Sequence, residues 1–450
     1  MERTKVLIVG GGFAGVECAR GLERGLKSGE AEIALVTPAS YELYLPLLPQ
    51  VAAGVLTPQS VAPPLRRLLH RTTIVPGMVI GIDPHDQVCV IQLISGEVVK
   101  RRYDHLVLTP GSVTRSLDIP GLDEQARGMK TLAEAAYVRD HVIAQLDLAA
   151  ASSDEADRAQ RLQFVVVGGG YAGTETVACL QRLTNAAAKR YPRLDPSLIK
   201  WHLLDIAPKL MPELGERLGR RAQQILRERG TDVSLGVSVA KAEEDKITLT
   251  DNRVLPSRTL IWTAGVAASP LIGNLDAETI KGRLVVHSDL TVPGHPGVYA
   301  LGDAAAVPDL TKTEGAVCAP TAQHATRQGQ HMARNLLATL RGEPRTPYRH
   351  KDLGLVVDLG GTDAVARPLG YELSGLPAQI VARGYHLMAL RSVTAKARTV
   401  ANWTLNAATG DDFLRTGFLS RRPATLQDME ATDAYLTPER ARELTRQRQH

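Results

Sequence analysis

A chain of 450 residues is too long for one compact core, so two or three domains are expected. At 44% hydrophobic and 22% charged it is ordinary globular material. The net charge of +5 suits an anionic membrane surface or phosphate-bearing ligands, or simply a solvated basic surface, whereas 4% aromatics and the lack of a dense Lys/Arg block argue against nucleic acid.

The N-terminus runs straight into an apolar strand, with no signal-peptide pattern. No window of 18 uninterrupted apolar residues occurs, so no spanning helix is expected. Lys5–Val9 reads as a buried parallel strand. It feeds Gly10, Gly12 and Gly15, a G-x-G-x-x-G loop, and a helix pattern follows from Val16 to about Leu26. Strand, loop and helix in this order are the context the motif requires. The first glycine makes the turn, the second admits a pyrophosphate, and the third lets helix and strand pack. The phosphates would sit at the helix N-terminus. The next strand, Ile33–Val36, ends at Thr37, 22 residues after Gly15 (37 − 15). The spacing suits a ribose contact, but the usual acid is missing.

The whole unit recurs. Leu162–Val167 is a strand, Gly168, Gly170 and Gly173 form the loop, and a helix runs from Thr174 to about Tyr191. The preceding run Ala149–Asp157 reads as a solvated helix end or linker. A second strand, Ile199–Leu204, ends at Asp205, 32 residues after Gly173 (205 − 173). The plain motif has roughly 20, and an insertion around Arg190–Pro196 accounts for the excess. A carboxylate there binds both ribose hydroxyls and repels a 2′-phosphate, which favours NAD(H) over NADP(H). The alternative is a solvated strand-end acid. Lys246–Val254 reads as a surface hairpin. The four cysteines, Cys18, Cys89, Cys179 and Cys318, form no CxxC or CxxxxC pair, and no Cys/His cluster has zinc spacing. Reduced thiols are expected, with no metal.

Three further segments carry a resemblance. Gly297-Val-Tyr-Ala-Leu-Gly302-Asp303 resembles the late FAD motif of two-dinucleotide flavoproteins, in which the Asp binds the ribityl chain. Tyr103–Gly111 and Ile261–Gly265 resemble that superfamily's strand-to-turn motifs on the FAD and NAD sides. The implied fold is α/β. Two Rossmann-like domains, the second inserted in the first, precede a C-terminal α+β region. Residues 1–117 and 285–345 would form the FAD domain, 118–284 the NAD domain, and 346–450 a membrane-association or dimer region.

Tyr41–Gly54 is similar to the segment beside the flavin in type II (non-proton-pumping) NADH dehydrogenases. Pro320–Gly329 resembles their quinone motif AQxAxQ. Ala322, Gln323 and Ala325 match, but Arg327 replaces the last Gln, with Gln328 one place later. Tyr348–Gly354 resembles the family's entry to its C-terminal domain. The resemblance covers about residues 3–420.

It implies an NADH:quinone oxidoreductase using FAD and NADH, with menaquinone or ubiquinone as acceptor. The FAD contacts would be Gly10, Gly12, Phe13, Ala14, Gly15, Thr37, Pro46, Val79, Thr109, Gly111, Gly302, Asp303 and Ala322. The NAD contacts would be Gly168, Gly170, Tyr171, Ala172, Gly173, Asp205, Ala264 and Gly265. Glu175 and Gln323 are the catalytic candidates; each also reads as an ordinary first-turn helix residue. Amphipathic helices at Leu376–Leu390 and Ala397–Ala407 would lie on an anionic membrane; the alternatives are ordinary packing or a homodimer contact. Leu376, Ile380, Leu387, Met388 and Trp403 would be their apolar faces. Arg383, Arg391, Lys396, Arg398, Arg415, Arg421 and Arg422 would meet lipid head groups. Thr437–Leu444 reads as a capped, exposed helix. The expected location is cytoplasmic, peripheral on the inner face of the cell membrane. A soluble NADH:acceptor reductase and an NADH-sensing flavoprotein resembling apoptosis-inducing factor are the competing readings.

Overall fold

The structure, a computed structural model, describes residues 3–115, 117–415 and 426. Arg421, Arg422 and the Thr437–Leu444 segment lie outside the described residues. The strand Thr4–Val9 is flanked by Ala31–Thr37 and His105–Leu108, both parallel to it. Thr73–Asp83 and Val298–Ala300 extend the parallel sheet on either side. Antiparallel strands Val88–Leu93 and Val98–Arg102 complete it. Such parallel strands are covered on both faces, so they read as unbroken apolar runs. Leu7, Ile8 and Leu35 are fully buried.

A second sheet repeats the plan with five parallel strands. Its order is Thr231–Leu235, Lys200–Asp205, Gln163–Val167, Thr259–Trp262 and Ala126–Arg127. The chain crosses between the sheets through two short strands, Ser112–Thr114 and Val266–Ala268, paired antiparallel. Each follows a glycine with positive φ, Gly111 at 74° and Gly265 at 76°. The turn Pro270–Asn274 then packs against Thr73–Asp83 of the first sheet. The expected hairpin is present as Ile247–Leu249 and Val254–Leu255, with Val239–Ala242 as a third strand. The C-terminal part is α+β, as expected. A three-stranded antiparallel sheet, Val356–Asp358, Ala364–Ala366 and Leu373–Ser374, packs on the helix Leu376–Ala389. The helix Val393–Thr409 follows.

The helix Phe13–Gly25 lies along the helix Ala322–Leu340 at unusually close range. A side chain on Gly329 would run into the Ala14 carbonyl, and one on Gly21 would stand 2.5 Å from the Ala333 Cβ. The second helix is capped at its start by Thr321, whose Oγ1 accepts from the His324 N–H at 3.3 Å. This fixes where Ala322 and Gln323 project.

The C-terminal helices depart from the amphipathic expectation in part. Leu376, Ile380 and Met388 are exposed, Met388 at 81%, and Val393 and Leu405 extend the apolar surface. Trp403, however, is buried, with its indole N–H donating to Gln50 Oε1 at 2.7 Å. Arg391 is buried between carboxylates and meets no head group. Arg383 lies 5.1 Å over the Trp403 ring, and Arg415 pairs with Asp147 at 3.1 Å. Leu387 packs partly against the core. A 3.6-residue period marks an apolar face but not what covers it.

The helix–helix contact generates a stability test. Gly329→Ala should cost about 1–3 kcal/mol through overpacking. Gly384→Ala, in open space on an exposed helix, should be neutral or stabilising by up to about 1 kcal/mol. Urea unfolding of both variants checks this; equal stabilities would refute the close contact.

Candidate functional site

The two glycine loops share one geometry. Gly10 and Gly168 adopt φ of 106° and 116°, and their N–H groups donate to Val36 and Leu204 carbonyls, both at 2.8 Å. Thr109 Oγ1 donates to the Val9 carbonyl at 2.7 Å, and Thr263 Oγ1 to that of Val167 at 2.8 Å. A Cβ on Gly15 or Gly173 would strike the carbonyl of Gly10 or Gly168. A Cβ on Gly12 or Gly170 would meet nothing within 4 Å. Those two positions are therefore the open floors of two cradles. Helices beginning at Phe13 and Tyr171 aim free N–H groups into them. The donor sets fit the pyrophosphate of a dinucleotide.

The strand ends distinguish the cradles. A Cβ on Gly11 would stand 2.7 Å from Thr37 Oγ1, and one on Gly169 would stand 3.0 Å from Asp205 Oδ2. Thr37 and Asp205 thus occupy the same place in their units. The Asp205 carboxylate accepts from the Gly169 N–H and, at 2.6 Å, from the Ala207 N–H. Thr263 and Ala264 border Gly168, Gly265 is the next residue along the chain, and Ala172 follows Tyr171 in the helix's first turn. The Tyr171 hydroxyl is buried with no hydrogen-bond partner among the described residues. Val79 is buried in its strand beside an irregularity in the pairing.

Gly302 and Asp303 reach the first cradle through partners that sequence reading missed. Asp303 Oδ2 accepts from Ser112 Oγ at 2.7 Å, and Lys130 Nζ donates to the same hydroxyl at 3.1 Å. Ser112 directly follows Gly111 of the strand-to-turn motif, which was a usable signal; Lys130 offered none. The Gly302 N–H donates to Gln328 Oε1 at 2.7 Å. Gln328 is therefore turned inward to the Gly-Asp turn.

Phe13, Pro46, Ala322 and Gln323 come together on one cavity of about 360 Å³. Tyr44, Tyr385, Met388 and Arg327 also line it. Arg327 Nη1 donates to Gln323 Oε1 at 2.9 Å. Tyr44 packs edge-on to Phe13, and its hydroxyl pairs with His386 Nδ1 at 3.0 Å. Burial pulls the His386 imidazole down to about 4, so it is neutral at pH 7.

Arg391 forms the cavity's charged wall. Its Nε donates to Glu17 Oε1 at 2.5 Å and its Nη1 to Glu42 Oε1. All three side chains are less than a tenth exposed. Burial alone would raise the Glu17 carboxyl. Arg391, Gln330 and Arg20 outweigh it and hold the group below the usual range. Glu42 is raised by burial, which Arg391 offsets only in part.

Glu175 is not beside Gln323 in this wall. It is buried in the second-loop helix, and its Oε1 accepts from the Asp358 N–H at 2.9 Å. Burial pushes its carboxyl well above the usual range; the Asp358 N–H opposes this and the Asp358 carboxyl adds to it. Asp358 Oδ2 accepts from Gln50 at 2.8 Å and from Gln379 at 3.1 Å. A buried polar chain therefore joins Glu175 through Asp358 and Gln50 to Trp403. All four cysteines are free and buried, with the Cys89 and Cys318 thiols pushed up by burial to about 12 and 11.

Two like dinucleotide cradles, with a cavity at Phe13 of the first, have the layout of the two-dinucleotide oxidoreductases. The sequence pattern of the pyridine nucleotide-disulphide oxidoreductases matches residues 4–329. The type II NADH:quinone oxidoreductase Ndh of Mycobacterium tuberculosis is 31% identical over 96% of this chain and 92% of its own. Its NdhA counterpart is 30% identical over 98% and 95%. Among solved structures, NDH2 from Plasmodium falciparum in complex with NADH superposes with a TM-score of 0.84 at 18% identity. That match covers 92% of this chain and 100% of the other. The chain belongs to the pyridine nucleotide-disulphide oxidoreductase family and, within it, to the type II NADH:quinone oxidoreductases.

Two substitutions test the buried charges. Arg391→Met would leave Glu42 without a cation and Glu17 with Arg20 alone, and should cost about 3–5 kcal/mol at neutral pH. The loss should shrink in acid as the carboxyls protonate. A pH series of urea midpoints checks it, and a loss below about 1 kcal/mol would contradict the triad. For Glu175 the folded-state pKa lies above the unfolded value near 4.5. The folded state then holds the extra proton, and the group's contribution to stability declines as pH rises above that value. Glu175→Gln has no proton to lose, so its stability relative to wild type should grow between about pH 5 and pH 8. A pH-independent difference would show that Glu175 is ionised when folded.

Proposed function

We propose that this enzyme takes hydride from NADH and passes two electrons through FAD to a membrane quinone of the menaquinone or ubiquinone type, without pumping protons. The observation that carries this reading is the cavity where Phe13 of the first loop meets Pro46, Ala322 and Gln323. FAD held over Gly10–Gly15 would supply the redox chemistry, accepting hydride on one side and releasing electrons to the quinone on the other.

The chain's residues supply binding and orientation. Gly12 and Gly170 leave room for two pyrophosphates, and Phe13, Ala14, Tyr171 and Ala172 begin the helices whose N–H groups face them. Asp205 accepts from the ribose hydroxyls of NADH and disfavours a 2′-phosphate. Asp303, held by Ser112, would bind the ribityl chain of FAD, and Thr109 and Gly111 shape the turn that precedes Ser112. Burial favours the protonated form of Glu175 in the buried chain that reaches Asp358. Two-electron chemistry without thiols agrees with four buried cysteines.

A membrane acceptor is supported by the cavity's rim. Met388 lines the cavity and is also part of the exposed apolar surface with Leu376 and Ile380. Among the described residues, no helix is long and apolar enough to cross a membrane. The exposed apolar surface supports peripheral attachment to the inner face of the cell membrane, with the exposed Arg398 of the next helix as a cation for its head groups.

Asp205→Ala should raise the KM for NADH roughly tenfold and leave the turnover at saturating NADH within a factor of about two, because the lost contact is made equally before and during hydride transfer. Steady-state kinetics at fixed quinone measure both. An unchanged KM would remove Asp205 from the nucleotide site.

A further inference from the structure

The acceptor cavity has a charge imbalance that its family motif does not carry. Four arginines line it, Arg20, Arg24, Arg327 and Arg391, against one carboxylate, Glu17. Arg391 is matched by Glu17 and Glu42, and Arg20 by Glu17 at 2.8 Å. Arg24 and Arg327 have no carboxylate partner among the described residues. A neighbouring cavity of about 310 Å³ is lined by Arg24 again and by Arg334, whose Nη2 lies 3.4 Å from His331 Nδ1. Positive charge therefore runs from the cavity outward.

Gln323 is meanwhile held at both ends. Its Oε1 accepts from Arg327 at 2.9 Å and from the Leu353 N–H at 3.4 Å, and its Nε2 donates to the Gly354 carbonyl at 3.2 Å. Gln328 is committed to the Gly302 N–H. Of the motif residues lining the cavity, Thr326 accepts from Arg391 through its hydroxyl oxygen at 3.3 Å, and Arg327 is the cation: among the described residues only one of its five N–H groups has a partner, Gln323.

We infer that Arg327 receives the acceptor's oxygen, and that with Arg24 it makes this cavity select quinones bearing negative charge, such as those with an ionised ring hydroxyl, over neutral quinones of the same ring size. The inference rests on the quinone-reducing reading. A guanidinium donates to an oxyanion more strongly than to a neutral carbonyl, and in a half-buried cavity the attraction is only partly screened. The glutamine of the family motif would not discriminate in this way.

The test compares the purified wild-type chain with Arg327→Gln, which restores the motif, at saturating NADH. The acceptors are 2-hydroxy-1,4-naphthoquinone, ionised at neutral pH, and 2-methyl-1,4-naphthoquinone. The ratio of the two KM values, taken between variant and wild type, cancels their different reduction potentials. That ratio should shift against the hydroxyquinone by roughly tenfold in Arg327→Gln, and Arg327→Lys should retain the wild-type preference. A ratio unchanged in Arg327→Gln overturns the inference. If the wild type turns over neither quinone, the functional reading itself fails. Calorimetric binding of the hydroxyquinone then decides the site alone: roughly tenfold weaker binding to Arg327→Gln supports it, and equal binding overturns it.

Discussion

The close approach of two helices is the constraint on which the site depends. Phe13–Gly25 grows out of the first glycine loop, and Ala322–Leu340 carries the acceptor motif. Gly21, Gly25 and Gly329 let their backbones meet where side chains would hold them apart. With the helices so close, Ala322 and Gln323 arrive beside Phe13, and Gln328 reaches the Gly302 N–H. One contact therefore sets both the Gly-Asp turn of the first cradle and the wall of the cavity at Phe13 and Gln323. Dispersion and small-residue packing hold it, so modest volume changes there are felt at the site.

The charged wall is a different kind of fastening. Arg391 ties the first-loop helix through Glu17 to the Tyr41–Gly54 segment through Glu42, and it comes from the C-terminal region. Its guanidinium also lies 5.6 Å over the Phe13 ring. Burying three charges costs desolvation energy that their mutual attraction repays only with good geometry. The arrangement holds three distant segments in one register around the cavity. Together with the Gln50–Trp403 and Gln50–Asp358 hydrogen bonds, it anchors the C-terminal helices to the nucleotide-binding core.

Much of this was legible in sequence because it is local. A buried parallel strand, a glycine turn and a helix start are fixed by backbone geometry within about fifteen residues. Hence the two loops and the strand ends at Thr37 and Asp205 could be read from the strand, turn and helix pattern, while the inserted two-domain plan came from the resemblance. What escaped depends on which segments meet in space. The Ser112–Asp303 bond spans 191 residues and Arg391–Glu17 spans 374, and neither leaves a local trace. Trp403 and Arg391 looked like membrane-facing residues because periodicity identifies a face without its neighbour. The departure from the quinone motif at Arg327 was visible in sequence. Its consequence, a Gln323 tied down by its own helix neighbour, needed the fold.

The central claim is that electrons enter from NADH at one cradle and leave to a quinone at the other end of the same site. Anaerobic stopped-flow absorbance of the flavin tests it most directly. NADH should bleach the flavin band, and a short-chain menaquinone analogue should restore it far faster than air-saturated buffer does. A flavin that NADH does not bleach, or one that quinone restores no faster than oxygen, would contradict the account.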